Sequence, residues 1–259
     1  MIDHAYATAG AITGLIVGLT GVGGGALMTP ILLLFFGVPP TTAVATDLWF
    51  AALTKTVAAR IHNNMGQVDW QIVKRLWLGS LPVALLVVVV ISLGTTVSKV
   101  EWLTHAIGLI VMMTACGLLF APCLLAKSHK RRLIKPEILA RLQPGLTVGA
   151  GVTLGIVVAL TSVGAGALGS VMLLYLYPLR MSPHRLIATD IVHAIPLAMV
   201  AGIGYLIAGM VDGTMLISLL AGSVPTAAIG SLLSRKISGR WMQILLAIVL
   251  LGAGGKIFA

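Results

Sequence analysis

Two long apolar runs, each broken in its middle by a turn of small residues, constrain this chain more than any other feature. The first extends from Ala9 to Gly37 and breaks at Thr20-Gly21-Val22-Gly23-Gly24-Gly25-Ala26-Leu27. The second extends from Pro144 to Pro178 and breaks at Thr161-Ser162-Val163-Gly164-Ala165-Gly166-Ala167-Leu168. The breaks correspond at an offset of 141 residues. Beyond them Ala45-Thr46-Asp47 returns as Ala188-Thr189-Asp190, Gly66-Gln67-Val68-Asp69 as Gly209-Met210-Val211-Asp212, and Gly79-Ser80-Leu81-Pro82 as Gly222-Ser223-Val224-Pro225, all at an offset of 143. Three separated motifs at one offset mark a duplication. It divides the chain into a first transmembrane repeat at 1–125, a basic linker at 126–143 and a second repeat at 144–259.

The environment follows from charge. Of 259 residues 58% are hydrophobic and 9% charged, where a soluble domain carries about 25% charged residues. Segments such as Leu76–Leu93 and Ile107–Leu125 offer almost no polar face, and a membrane span needs about 20 apolar residues. The expected fold is therefore all-α and polytopic. Each repeat has a broken run followed by three helices, near 41–61, 72–92 and 102–125 in the first copy and 186–208, 214–233 and 240–258 in the second. The polar start Met1-Ile2-Asp3-His4 leads straight into the first run, which is expected to remain in the mature protein.

The net charge of +10 would point to nucleic acid in a soluble chain. Here the basic residues sit between apolar runs, where they report topology, and no basic and aromatic interleaving suggests strand binding. Charge changes sides between the copies. Arg60, Lys74 and Arg75 flank the connection whose counterpart near Gly209–Gly213 has no basic residue, whereas Arg180 and Arg185 stand where the first copy has Val38-Pro39-Pro40-Thr41. An inverted repeat under positive-inside selection produces this pattern. It needs an odd number of passes per copy, which follows if each broken run enters and returns as two half-helices of roughly 13–15 residues, about 20 Å each and too short to cross a ~30 Å core. The linker, with its run from Lys127 to Arg141, is then cytoplasmic and placed to meet anionic lipid headgroups. Of the 17 basic residues, all but Lys55, Lys99 and Lys256 fall on the cytoplasmic side. The alternative is eight simple spans with parallel copies.

Broken backbone inside a membrane is tolerated where protein encloses it or it lines a cavity. A half-helix starting there aims unpaired N–H groups and its positive dipole end at whatever fills the cavity. Gly21, Val22, Gly23, Gly24 and Gly25 precede one such start, and Ser162, Val163, Gly164, Ala165 and Gly166 the other; Thr20, Thr161 and Ser162 add hydroxyls. Together they make a candidate anion site. Gly14, Gly18, Gly108, Gly149, Gly151 and Gly155 read instead as close-packing positions.

Asp47 and Asp190, each preceded by a threonine (Thr46, Thr189), occupy matched places inside their helices. Such acids could carry a coupling proton, or could brace the half-helices by accepting N–H bonds. Lys55, whose counterpart at the repeat offset is the small Ala198, is a candidate cation for an anion cavity, or a snorkelling or acid-paired side chain. His193, one helical turn after Thr189, is a proton or substrate candidate, or a packed neutral imidazole. Pro82 and Pro225 predict matched kinks. Trp49, Trp70, Trp77, Trp102 and Trp241 read mostly as boundary anchors. Cys116 and Cys123, spaced without a metal motif, read as buried apolar residues. Nothing indicates a catalytic constellation, a metal site or a cofactor.

With the glycine turn followed by Pro30, the Ala45-Thr46-Asp47 helix, the Gly66-Gln67-Val68-Asp69 connection and the second Ala188-Thr189-Asp190, the chain resembles the sulfite exporter TauE/SafE family over nearly its whole length. The resemblance implies a non-enzymatic permease of the cell inner membrane for small sulfur-containing anions such as sulfite and organosulfonates, with the two turns as the anion-binding region. The second turn departs from the glycine-rich form at Ser162, Ala165 and Ala167. The favoured expectation is export by alternating access, driven by the proton gradient through Asp47 or Asp190, with membrane lipid as the surrounding partner. Alternatives are a cation or metal-ion carrier using those carboxylates, and a membrane enzyme or non-transporting scaffold.

Overall fold

A computed structural model describes residues 3–20, 25–62, 68–93, 109, 112–113, 116, 136–164, 166–177, 180–181 and 183–233. Among the described residues the regular elements are helical: α1 (His4–Thr20), α2 (Gly25–Phe35), α3 (Pro40–His62), α4 (Trp70–Leu93), α5 (Pro136–Thr161), α6 (Ala167–Leu176), α7 (Pro183–Ile207) and α8 (Gly213–Leu233). Both broken runs thus break where the small residues stand. Local chemistry sets the other boundaries. Pro40 and Pro183 open α3 and α7, where the missing N–H costs nothing. Gly209, at φ 70°, ends α7 while Met210 N donates back to Tyr205 O (3.0 Å), a left-handed helix terminus that glycine suits. The carboxylates of Asp69 and Asp212 cap α4 and α8 by accepting from Ile72 N (3.4 Å) and Met215 N (2.9 Å). The helices near 102–125 and 240–258 lie outside the described residues, except that Leu109, Met112, Met113 and Cys116 are helical. Cys116 is exposed, against the expectation of burial, and Cys123 lies outside.

The two copies interlock. At the centre α3 and α7, equivalent elements, pack antiparallel: Trp49 Nε1 donates to Gly202 O (2.9 Å), while Thr46 Oγ1 accepts from Asp212 N (3.2 Å) and Thr189 Oγ1 from Asp69 N (3.1 Å). These last two bonds are related by the repeat offset and tie each copy to the other. Around this pair the first arm of each run lies along the third element of the other copy. Gly10, Gly14 and Gly18 of α1 meet Leu219, Ser223 and Ala227 of α8 in parallel register, and Gly151 and Gly155 of α5 meet Leu76 and Ser80 of α4. Glycine on these seams lets backbone touch backbone. Gly149, grouped with them by sequence, has open space around its α-carbon instead.

The two ends of each broken run lie side by side. Tyr6, near the start of α1, stacks on Phe36 just past α2 with ring centroids 4.6 Å apart. Gln143 Nε2 donates to Leu176 O (2.9 Å), and Thr147 Oγ1 lies 2.7 Å from Tyr177 OH, joining α5 to the end of α6. The arms are unequal, with 17 and 11 residues in the first run and 26 and 10 in the second. The long arms follow from the glycine seams, which reward packing along their whole length. α5 begins at Pro136, inside the stretch read as linker.

The outward faces are apolar. Leu78, Leu86 and Val90 of α4 and Ile217 and Leu232 of α8 are more than half exposed, the arrangement lipid requires. Trp70–Ser92, Arg141–Thr161, Ala188–Ile207 and Gly213–Leu233 are long and apolar enough to cross a membrane. The chain is an all-α polytopic membrane protein. α4 and α8 continue through Pro82 and Pro225. Two of the tryptophans are not boundary anchors: Trp49 and Trp77 give their indole N–H groups to α7 carbonyls, Gly202 O and His193 O (3.2 Å).

Candidate functional site

The site forms where the α3 and α7 crossing meets the two breaks. Asp47 is fully buried on α3, and its Oδ2 accepts from both Thr29 N (3.1 Å) and Thr29 Oγ1 (2.5 Å). Thr29 lies in the second turn of α2, so the carboxylate grips the returning arm of its own copy. Acceptance of two donors, one of them a backbone N–H, is the bracing arrangement anticipated for a carboxylate beside a half-helix start.

The second break reaches the same carboxylate. Thr161 ends α5 with its hydroxyl donating to Val157 O (2.7 Å) and accepting from Val163 N (3.1 Å). The chain then turns through Ser162 at φ 56° and Gly164 at φ 113°. A left-handed serine is uncommon and is held by its surroundings, a form of local strain concentrated at functional sites. Ser162, 5% exposed, interacts with Asp47 across the copies without closing a bond of hydrogen-bond geometry. After the turn Leu168 N and Gly169 N both donate to Gly164 O (3.0 and 3.1 Å), and no side chain caps the start of α6 at Gly166.

Asp190 occupies the matched place on α7 but in different surroundings. α6 presents Gly169 to it, and a Cβ there would stand 2.5 Å from Asp190 Oδ1. The residue equivalent to Thr29 is Ser170, whose hydroxyl donates to Gly166 O (2.5 Å) instead. Among the described residues no hydrogen bond reaches Asp190 Oδ1. Lys55, 3% exposed, is buried near Asp190 and Asp47 without an ion pair to either within 4 Å. His193, also within range of Lys55, sets Nε2 3.0 Å from Ser80 Oγ, while its Nδ1 has no partner among the described residues.

The structure thus draws together Asp47, Ser162, Lys55, Asp190 and His193. Thr46 and Thr189 hold the copies to one another. Gly21, Val22, Gly23, Gly24 and Ala165 lie outside the described residues, as do the side chains of Thr20 and Gly25's surroundings; Gly25 itself opens α2. Val163 is buried in the turn. No group of three or more metal-ligating side chains occurs among the described residues.

One further cluster escaped sequence reading. Asp69, 2% exposed, accepts a hydrogen bond from Arg180 Nη2 (3.1 Å) and forms ion pairs with Arg180 Nε (2.7 Å) and Arg185 Nη2 (3.2 Å), and Arg180 also reaches Gln71 Oε1 (3.1 Å). At the repeat offset of 143, Gly37 and Thr42 stand in place of those arginines. Asp immediately before an apolar helix was the available signal, as a capping position.

A family model described as sulfite exporter TauE/SafE matches residues 6–257. The "Probable membrane transporter protein YjnA" of Bacillus subtilis (strain 168) is 35% identical over 255 residues, covering 96% of each chain. Two similarly named proteins of that organism also match. YdhB is 26% identical over 222 residues, covering 85% of each chain. YunE is 39% identical over 59 residues, covering 23% of this chain and 22% of its own. No solved structure matches.

Proposed function

The chain belongs to the sulfite exporter TauE/SafE family and is a multi-pass membrane transporter, and from that premise we propose that it exports small sulfur-containing oxyanions, sulfite or organosulfonates, by alternating access with proton coupling. One observation carries this reading: Asp47 holds α2 through Thr29 and is also approached by Ser162 from the second break. The returning arm of the first run and the turn of the second therefore meet at one carboxylate. Helix starts from both copies can aim N–H groups and positive dipole ends there, and Lys55 places a buried basic side chain on α3 two turns beyond Asp47. The family description names sulfite, a small oxyanion that such a site suits.

Alternating access follows from the repeat. The side-by-side ends of each run support two re-entrant hairpins. The antiparallel α3 and α7, with the seams of α1 on α8 and α5 on α4, support copies of opposite orientation. Rocking one copy against the other then exposes the shared site to each side in turn. Intramembrane carboxylates at that site are suited to carry a proton.

The test uses the purified full chain in sealed liposomes, with sulfite, thiosulfate, sulfoacetate and sulfate offered separately. Saturable flux of at least one sulfur oxyanion, accelerated by an imposed pH gradient, is expected. Flux no greater than in protein-free liposomes for all four contradicts the reading, and flux indifferent to the pH gradient removes the proton from it.

A further inference from the structure

We propose that Tyr205 is a positioning residue of the anion site: its hydroxyl takes up the carbonyl that α5 releases at the second break, and so holds Ser162 in the left-handed turn from which the serine hydroxyl donates to the transported oxyanion. The inference rests on the function proposed above and adds to it a residue from the far end of α7.

α5 stops because Ser162 turns left-handed, at φ 56°. Ser162 N still donates to Val158 O (2.8 Å), but Val163 N, which a continuing helix would give to Ala159 O, goes to Thr161 Oγ1 (3.1 Å). Ala159 O is therefore the first carbonyl left without its helical partner. Tyr205 OH donates to it at 2.9 Å. Both residues are buried, so water has no access to replace that bond, and a buried carbonyl left unpaired is costly. The same side chain sets the level of the break. Tyr205 stands in the last turn of α7, just after Gly202, whose carbonyl accepts Trp49 Nε1 (2.9 Å) from the turn of α3 that carries Asp47. Ala45 and Leu48 of α3, Val158, Ala159 and Val163 of the break, and Tyr205 share one packed core. The end of α7 thus joins the second break to the Asp47 stretch of α3.

Ser162 is the residue this hold serves. Its counterpart at the offset of 141 is Gly21, and glycine enters a left-handed turn without the Cβ clash that serine bears. Nothing inside the protein offsets that cost: Ser162 is 5% exposed, and its Oγ has no hydrogen-bond partner among the described residues. Burying a hydroxyl unpaired adds a second cost at the same residue. A partner that arrives and leaves accounts for both. A sulfite or sulfonate oxygen accepts hydrogen bonds, and a hydroxyl with an uncommitted proton is its complement. The strained serine and its hold occur together in the second copy, while the first copy has Gly21 and, in place of Tyr205, His62.

Two sets of measurements on the full chain test this. In liposomes carrying sulfite flux, Ser162→Ala raises the half-saturating sulfite concentration about tenfold, the lower end of what a hydrogen bond to a charged group is worth, while the maximal rate changes less. Tyr205→Phe, which removes one oxygen and keeps the ring, raises it about threefold and adds nothing further in the Ser162→Ala background, because the two act through one hydroxyl. A rise of the same size in both backgrounds, or a fall in maximal rate alone, overturns the positioning role, and an unchanged half-saturation in Ser162→Ala overturns the donor. The second set needs no substrate. In a chain whose Cys116 and Cys123 are replaced by serine, Ser162→Cys reacts about fivefold faster with a small methanethiosulfonate once Tyr205→Phe releases the turn, whereas Ser223→Cys, at a buried position of α8, reacts at an unchanged rate, which separates the effect from general loosening. No acceleration at Ser162→Cys, or equal acceleration at both positions, overturns the hold. Wild-type protein that moves no sulfite refutes the substrate reading and the donor role of the serine, and the thiol rates still decide whether Tyr205 holds the turn.

Discussion

Gly222→Val and Gly79→Val each destabilise this protein by about 2–3 kcal/mol, whereas Gly149→Ala stabilises it. A Cβ at Gly222 meets Ala7 O, and one at Gly79 meets Val148 O, both backbone atoms of a facing helix. A carbonyl cannot rotate aside as a side-chain tip can, so the helices must separate along the seam. That costs about 3 kcal/mol, the upper part of the range for overpacking, and outweighs the few tenths of a kcal/mol that valine returns over glycine in helix propensity. Gly149 has nothing within 4 Å of its would-be Cβ, so only the propensity term applies and Gly149→Ala gains about 1 kcal/mol. Thermal unfolding in detergent reads all three. Matching changes at Gly149 and Gly222 would remove the seam from the account.

Asp69→Ala destabilises the protein more than Asp212→Ala does, although the two acids are repeat mates with the same local duty. Each caps its helix, worth about 1 kcal/mol, and each N–H is held by a threonine of the other copy. Asp69 alone takes Arg180 and Arg185. Those guanidinium groups are 42% and 40% exposed, so solvent discounts the pairs, and the extra loss is about 1–2 kcal/mol rather than that of a fully buried bridge. Because these pairs are partly screened, the difference between the two variants narrows in 1 M salt, where the Debye length is about 3 Å. Equal losses at low salt contradict this assignment.

The fold was legible where it rests on periodicity and duplication. The second break fell within Ser162–Gly166, because a helix in an apolar run stops only where the backbone is made to. The matched acids also proved to lie at the crossing of the copies. What sequence could not separate was their roles. Asp47 and Asp190 share a motif, and the difference lies in Thr29 against Gly169 and Ser170, neighbours contributed by another helix. Arm lengths were misjudged as well: α5 extends back to Pro136, through residues read as linker from their charge. Thr46 and Thr189 looked like cavity hydroxyls because a threonine before an acid gives no sign that its partner is a backbone N–H more than a hundred residues away.

The oppositely oriented hairpins are the centre of this account, and side-specific labelling tests them most directly. Pro39→Cys and Arg180→Cys are each introduced into a chain whose Cys116 and Cys123 are replaced by serine, and intact cells and inside-out vesicles are exposed to a membrane-impermeant maleimide. Opposite orientation predicts that Pro39→Cys reacts from the outside and Arg180→Cys from the cytoplasmic side. Reaction of both from the same side contradicts the inverted repeat and, with it, a single anion site shared between the two tips.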